Sequence, residues 1–461
     1  MARLPRPLIV AYGGAILLLL FLVSPCRAAA GGGDRPTAVV LPVSKDDATR
    51  QYVTTFRQRT PQVPVKAVLD LAGAMLWVDC EPGSYASSSY AGVPCGSKPC
   101  RYLKNAGCAV TCLDAPSSGC LNDTCAEFPK NTATSVSTAG NVITDVLSLP
   151  TTFRPAPGPF ATAPAFVFTC GHTFLTEGLA AGATGMASLS RGRFALPTQL
   201  ADTFGFSRNK FALCLPPASA AGVVVFGDAP YTFQPGGDHS KSLIYTPLLV
   251  NPVSTVPYGR KQKMTKYFIG NTTIQLNGRV SKEKPTDYFI GLTGMKVNGR
   301  VVSLNATLLA IDKKGVGGTK LSTVTPYTVL ERSIHKAVID AFARETATIP
   351  RAPAVEPFEL CYDGSNLRTT RAGPAVPTIE LMLQNTAAPW VVVGANSMVA
   401  TKGSVLCLGV VDAGTEPQTS VVIGGHMMED NLLEFDLEGS RLGFSSYLPS
   451  QLTSCNNFRL G

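Results

Sequence analysis

The chain has 461 residues, 45% of them hydrophobic and only 15% charged, a globular composition with room for two or three domains and a large core. Its formal net charge is +9, yet no stretch interleaves basic and aromatic residues, which excludes a nucleic-acid-binding class. A mild positive excess favours acidic surfaces such as pectic polysaccharide or an acidic enzyme.

Residues 1–30 read as a signal peptide. Arg3 and Arg6 form a basic start, Leu8 to Val23 an apolar run, and Ala28-Ala29-Ala30 a small-residue cleavage zone. The apolar run is shorter than the roughly 20 residues a spanning helix needs, and no other segment qualifies, so no membrane span is expected. Losing Arg3, Arg6 and Arg27 would leave the mature chain at +6. Of 13 Cys, Cys26 falls in the signal segment, and the remaining 12 are an even number that fits disulfides in an exported protein. They are Cys80, Cys95, Cys100, Cys108, Cys112, Cys120, Cys125, Cys170, Cys214, Cys361, Cys407 and Cys455. The dense run from Cys95 to Cys125 reads as a disulfide-stapled loop, because only four scattered His accompany it and no metal or cofactor site is expected. Sequons at Asn122, Asn271 and Asn305 agree with passage through the secretory route.

Past a flexible lead at Gly31–Asp34, Ala38–Val43 and Gln51–Phe56 have strand composition. Short apolar runs broken by 43 Gly and 35 Pro continue to the end, an all-β texture; Phe166–Phe168, Val223–Gly227 and Trp390–Gly394 read as buried strands. Two brief stretches read as packing helices, Leu196–Phe204 and Ser333–Glu345, the second with Ile334, Val338, Ile339 and Phe342 at helical spacing. A composition break at Gln234–Ser240 divides the chain into lobes of residues 37–240 and 241–461. Residues 266–286 and 287–307 repeat at a spacing of 21, both reading Tyr-Phe-Ile-Gly and then Asn-Gly-Arg-Val. Two copies are too few for a solenoid, so the second is expected to be a duplicated hairpin or loop extension, with an Asn-Gly turn as the hairpin signal in each.

The chemistry-bearing stretch is Val68–Cys80, an apolar run ending in Asp70 and followed by small residues. Such a turn presents a buried carboxylate to backbone amides, and only a second carboxylate would make it an acid–base pair. Asp70 with Trp77 and Cys80 seven and ten positions on, followed by Gly192-Arg-Phe-Ala-Leu-Pro-Thr-Gln-Leu200, resembles the plant pepsin-like aspartic proteases over nearly all the mature chain. The resemblance implies an all-β, two-lobed fold with few short helices, in which two Asp-Thr/Ser-Gly loops bring two carboxylates together.

Here the first loop reads Asp70-Leu71-Ala72-Gly73, without the hydroxyl and with a methyl where the family has glycine. In the segment that matches the second loop, Leu321–Tyr327, Ser322 stands where the second Asp belongs, and a hydroxyl cannot share a proton with Asp70. Asn131–Gly140 lacks the flap tyrosine, and Asp312, the one nearby carboxylate, is at the wrong offset. No catalytic residue is therefore expected; Asp70 reads as an acceptor for turn amides.

Ser322–Leu330, Gly394–Val399 and Ile423–Asp430 with Phe435-Asp436 resemble the non-proteolytic plant branch of xylanase inhibitors, xyloglucan endoglucanase inhibitors and basic 7S globulins. That resemblance implies a secreted, monomeric wall protein of the apoplast that plugs the clefts of microbial glycoside hydrolases with loops and tail of the second lobe. A basic tail residue serves that role in the inhibitors, whereas this tail reads Gln451-Leu452-Thr453-Ser454-Cys455, the basic side chain beyond being Arg459. Gln451, Leu452 and Thr453 are the candidate target-binding residues. The resemblance also pairs Cys214 with Cys455 and Cys361 with Cys407. A residual aspartic endopeptidase and a storage or peptide-binding protein are the alternatives. His172, His239, His335 and His426 lack metal spacing, Gly315–Gly318 and Gly424-Gly425 read as tight backbone, and Trp77 and Trp390 as core.

Overall fold

The computed structural model describes residues 1, 35–81, 83–103, 107–112, 121–153, 158–217, 220–253, 266–269, 272–276 and 285–460. The signal segment, Cys120 and Asn271 lie outside them, as does the side chain of Cys112. Pro36–Gly461 is one unit made mostly of short strands, and its two halves repeat one wiring pattern.

In the first half, Val63–Asp70 pairs antiparallel with Tyr52–Gln58 and parallel with Gly185–Ser188, which also lies antiparallel to Trp77–Asp79. Its second-half counterpart is Thr319–Leu321, antiparallel to Phe289–Ile290 and parallel to Val421–Ile423; that last strand in turn runs antiparallel to Thr328–Leu330. One return strand is thus threaded between the two arms of a turn in each lobe. The arms are apolar and buried on both faces, as Ala67, Val68 and Leu69 are, so they read as continuous runs rather than alternating ones.

A six-stranded antiparallel sheet joins the lobes: Ala38–Lys45, Gly222–Gly227, Lys210–Cys214, Leu432–Asp436, Arg441–Phe444 and Ile244–Leu249. At its centre Phe211 stacks on Phe435 at 4.7 Å, Tyr288 lies 4.6 Å from Phe435, and the Tyr288 hydroxyl donates to Leu189 O at 2.8 Å. Ring pairs of this kind contribute about 0.5–1.5 kcal/mol each beyond their area burial. A polar joint lies nearby in sequence terms: Glu429 accepts from Lys45 and from the Tyr52 hydroxyl of the first half and faces His426 Nδ1 at 3.1 Å. Burial pushes the Glu429 carboxyl up, but its bonds to His426 and Lys45 outweigh this and hold it below its ordinary value.

The helices fall at Leu196–Phe204, closed by Gly205 at φ 70°, and at Arg332–Glu345, where the Glu331 carboxylate caps Ser333 and Ile334 N–H. Segment 234–240 is drawn into a small sheet in which Thr232–Phe233 pairs with both Gly237–Asp238 and the C-terminal Phe458–Arg459.

The repeat at 266–307 needs a correction. The second copy is no extension: Tyr288, Phe289, Ile290, Leu292, Met295 and Val297 are all core, and Asn298-Gly299, at φ 51° and 76°, turns the hairpin between Leu292–Val297 and Arg300–Val301. The first copy is a separate hairpin of Lys266–Ile269 and Thr272–Leu276 whose second strand pairs with Gly107–Cys112 of the first lobe; its Asn277-Gly278 lies outside the described residues. The shared Tyr-Phe-Ile-Gly string cannot tell which copy is seated in the core, because burial depends on what packs against it.

Candidate functional site

Asp70 ends the Val63–Asp70 strand in register with Ser188, and the backbone leaves the strand immediately afterwards, so its carboxylate is held inside the turn. Its Oδ1 accepts from Ala72 N at 2.8 Å and its Oδ2 from Thr132 Oγ1 at 2.8 Å; the residue is 1% exposed. Burial pushes the Asp70 carboxyl above its ordinary value, against the lowering effect of the Ala72 N–H and the Thr132 hydroxyl. A Cβ on Gly73 would sit 2.8 Å from Oδ2, so glycine is required there, and the Ser188 hydroxyl donates to Gly73 O. Ala72 offers its carbonyl to Thr286 Oγ1 at 2.8 Å.

Ser322 follows Thr319–Leu321 as Asp70 ends Val63–Asp70, and its N–H donates to Ile423 O at 3.0 Å. Its Oγ accepts from Thr325 N at 3.1 Å and donates to Thr325 Oγ1 at 2.9 Å, so the hydroxyl closes its own turn. The next residue, Thr323, donates from Oγ1 to Leu69 O at 2.8 Å across the lobe boundary, which brings the two turns face to face. Leu71, in the matching position of the first turn, is buried and has no hydroxyl to return that bond. The cross-brace is one-sided. Asp312 is exposed and caps its own turn through Lys314 N and Val316 N, and Asp287, whose charge raises Asp70 further, is engaged by Lys320 at 3.1 Å. One buried carboxyl and one self-bonded hydroxyl cannot divide acid and base roles between them.

A hairpin of Lys130–Asn131 and Val136–Ser137 folds over this point. Asn131 Nδ2 donates to Leu175 O and Glu177 O, its Oδ1 accepts from Ala133 N and Thr134 N, and Trp77 Nε1 donates to Lys130 O at 3.0 Å. Every anchor holds the hairpin down, and Thr132 is the latch onto Asp70. The signal in the sequence for this contact is the Thr132 hydroxyl, in the stretch that lacks a tyrosine.

At the tail, Gln451 ends a short 3-10 turn at Leu448–Gln451 and Leu452, at φ 64°, stands 58% exposed; Thr453 instead is buried, donating to Gln234 O at 3.0 Å. Gln451 and Leu452 face solvent while the Thr453 side chain holds the inter-lobe segment. Sequence reasoning also passed over Arg371, an exposed guanidinium at the tip of the Thr369–Thr370 and Gly373–Pro374 hairpin. That hairpin is stiffened by Thr370 Oγ1 on Gly373 O and by Ala395 N on Ala372 O, both 2.8 Å. Cys80–Cys170, Cys95–Cys108, Cys100–Cys125, Cys214–Cys455 and Cys361–Cys407 are bonded. Asn122 and Asn305 are exposed, and Thr307 Oγ1 donates to Asn305 Oδ1 at 2.7 Å. Among the described residues no cluster of three or more His, Cys, Asp or Glu is placed to hold a metal ion, and no helix is long and apolar enough to cross a membrane.

Two family models match the chain, xylanase inhibitor N-terminal over residues 52–228 and xylanase inhibitor C-terminal over residues 287–446. The first copy of the repeat falls between them. The chain is 46% identical to "Probable aspartic proteinase GIP2" of Nicotiana benthamiana over 96% of its own length and 97% of the relative's. It is 37% identical to "Gamma conglutin 1" of Prunus dulcis over 93% and 90%, and 31% identical to "Basic 7S globulin" of Glycine max over 88% of each. Among solved structures, "Crystal structure of edgp" superposes with a TM-score of 0.83 at 45% identity, covering 92% of this chain and 98% of that one. The soybean basic 7S globulin superposes at 0.73 and 29%, covering 91% and 98%. With the repeated turn wiring, the latched hairpin and matches to both halves, the chain belongs to the xylanase-inhibitor family of two-lobed pepsin-like proteins, alongside the non-proteolytic edgp and basic 7S globulin.

Proposed function

We propose that this protein is a secreted inhibitor of cell-wall-degrading glycoside hydrolases, an endoxylanase or a xyloglucan endoglucanase, and is inert as an aspartic protease. The observation that carries the reading is Ser322: in a chain matched along both lobes by xylanase-inhibitor models, the second turn offers a hydroxyl where a protease needs a carboxylate. With Thr132 seated on Asp70, a substrate carbonyl has no water-activating pair to approach.

Inhibition then falls to the surface of the second lobe. A glycoside hydrolase cleft is lined by two carboxylates, so an inhibitor gains affinity and on-rate by offering a cation. The tail supplies none at Gln451 or Leu452, whereas Arg371 stands on a stiff hairpin with no carboxylate partner among the described residues. In this reading Arg371 carries the charge and Leu452 the apolar contact, the protein acting as a monomer in the apoplast.

The test is inhibition of a panel of microbial xylanases and xyloglucanases by the purified protein, with Arg371→Ala as control. Nanomolar to micromolar inhibition of at least one enzyme, weakened tenfold or more by the substitution, is expected. Cleavage of denatured casein at acidic pH, blocked by pepstatin, would overturn the inert-protease half. Failure to bind any enzyme in the panel would favour the storage or peptide-binding role suggested by the conglutin and 7S globulin names of the relatives.

A further inference from the structure

On the first lobe, away from both turns and from Arg371 in sequence and element, an open groove of about 210 Å³ runs between the short helix Lys98–Tyr102 and the helix Leu196–Phe204. Its floor and walls include Lys98, Tyr102, Arg193, Phe194, Gln199 and Asp202. The Arg193 guanidinium lies 4.1 Å from the centroid of the Tyr102 ring and Lys98 Nζ 6.0 Å from the same ring. Two cations are therefore gathered around one aromatic side chain that is itself 40% exposed, and neither has a carboxylate within ion-pair distance among the described residues. Both cations lie against one aromatic ring without a carboxylate partner, so an anion entering the groove would gain a charge-assisted contact from either.

The walls are fixed. Cys100 is bonded to Cys125 and Cys95 to Cys108, which staples the short helix, and Gln199 bridges Val167 N, Val167 O and Phe194 O, which ties the second helix to the strand beside it. The backbone of both walls therefore has little freedom to lose on binding.

Asp202 decides what kind of anion fits. A lone carboxylate in the same groove repels a compact ion such as sulfate or phosphate, but it is a good acceptor for hydroxyl groups. A ligand with a carboxylate for Arg193 and Lys98, hydroxyls for Asp202 and an apolar C–H face for Tyr102 and Phe194 satisfies every group at once. A hexuronate residue in a polysaccharide has all three. We infer that this groove is a binding site for uronate-bearing polysaccharide, separate from the surface assigned above to enzyme inhibition and independent of that assignment.

The experiment is calorimetric titration of the full-length protein with oligogalacturonate, fully methyl-esterified oligogalacturonate, a neutral xyloglucan oligosaccharide and sodium sulfate. Expected is saturable binding of the free-acid oligomer, at least tenfold weaker binding of the ester, and none of the neutral sugar. Lys98→Ala with Arg193→Ala should weaken the free acid tenfold or more with the thermal midpoint unchanged, because both side chains are exposed. Asp202→Asn should weaken the uronate and strengthen sulfate. Sulfate competing equally with the uronate, or full binding by the double variant, would overturn the assignment, as would equal affinity for acid and ester.

Discussion

The first lobe's turn holds a carboxyl that it has sealed away, and the second lobe's turn holds none. Both have the same strand wiring, yet Asp70 is satisfied from outside its turn by Thr132, whereas Ser322 is satisfied from within by Thr325. The exchange between lobes is equally lopsided, Thr323 bracing Leu69 with nothing returned from Leu71. A catalytic pair needs two turns kept alike by a shared substrate. With a carboxyl on one turn and a hydroxyl on the other, each turn satisfies its own polar groups separately.

The largest effect should come from making the turns alike again. Ser322→Asp would put a second carboxyl on the turn facing the buried Asp70, and the like charge would push one carboxyl of the pair well up. A raised carboxyl contributes stability fully present below its unfolded value and lost as pH rises through its folded value. The variant should therefore lose about 2–4 kcal/mol at pH 7 and recover most of it near pH 4 in urea titrations. An equal loss at both values would mean the two positions do not face each other.

Next comes the polar joint. Asp430, adjacent to Glu429 and accepting from Cys455 N at 2.9 Å, is pushed up to about 6 by burial, with the Glu429 charge adding to it. The same sign applies: its contribution is present below its ordinary value of 3.8 and lost through about 6. Asp430→Asn should gain up to about 3 kcal/mol at pH 7.5 and nothing at pH 3.5, read from the two unfolding midpoints. No gain at pH 7.5 would show that the group stays solvated.

Smaller is the cross-brace. Thr323→Val leaves Leu69 O without its buried donor and should cost about 1–2 kcal/mol, whereas Asp70→Asn, which keeps an acceptor for Ala72 N, should cost nothing at neutral pH. If the two cost the same, the brace is not what distinguishes the lobes. Smallest is the latch: Thr132→Val should cost about 1 kcal/mol or less, with faster amide exchange confined to residues 130–137. Faster exchange throughout the first lobe would instead make the hairpin part of the core.

What could be read beforehand was local. The Asp70, Trp77 and Cys80 spacing, the helix at Leu196–Phe204 and the 3.6-residue rhythm before Glu345 are written in neighbouring residues, and the structure places helices there. The contacts that decide the site are not local. Thr132 meets Asp70 across 62 positions and Thr323 meets Leu69 across 254, so no window of sequence contains both partners. Thr453 shows the same limit from the other side: the tail was read as a binding surface, but its hydroxyl turns inward to Gln234, a partner that only the folded chain supplies. Arg371 was missed because an isolated arginine in a turn has no pattern, and its meaning comes from the stiffness of the hairpin beneath it.

The bond between Cys214 and Cys455 closes a covalent hoop over 241 positions of sequence that include all of the second lobe except its last six residues. A single proteolytic cut anywhere inside that hoop opens the chain without releasing a piece. A protease that nicks the protein inside the hoop would therefore leave two polypeptides that travel as one molecule, still paired through Lys210–Cys214 and Leu432–Asp436, with the covalent link lost only when a thiol is added. Cleaved and intact forms would migrate together on a gel run without reductant, so survival of a cut would follow from chain topology rather than from resistance to cutting.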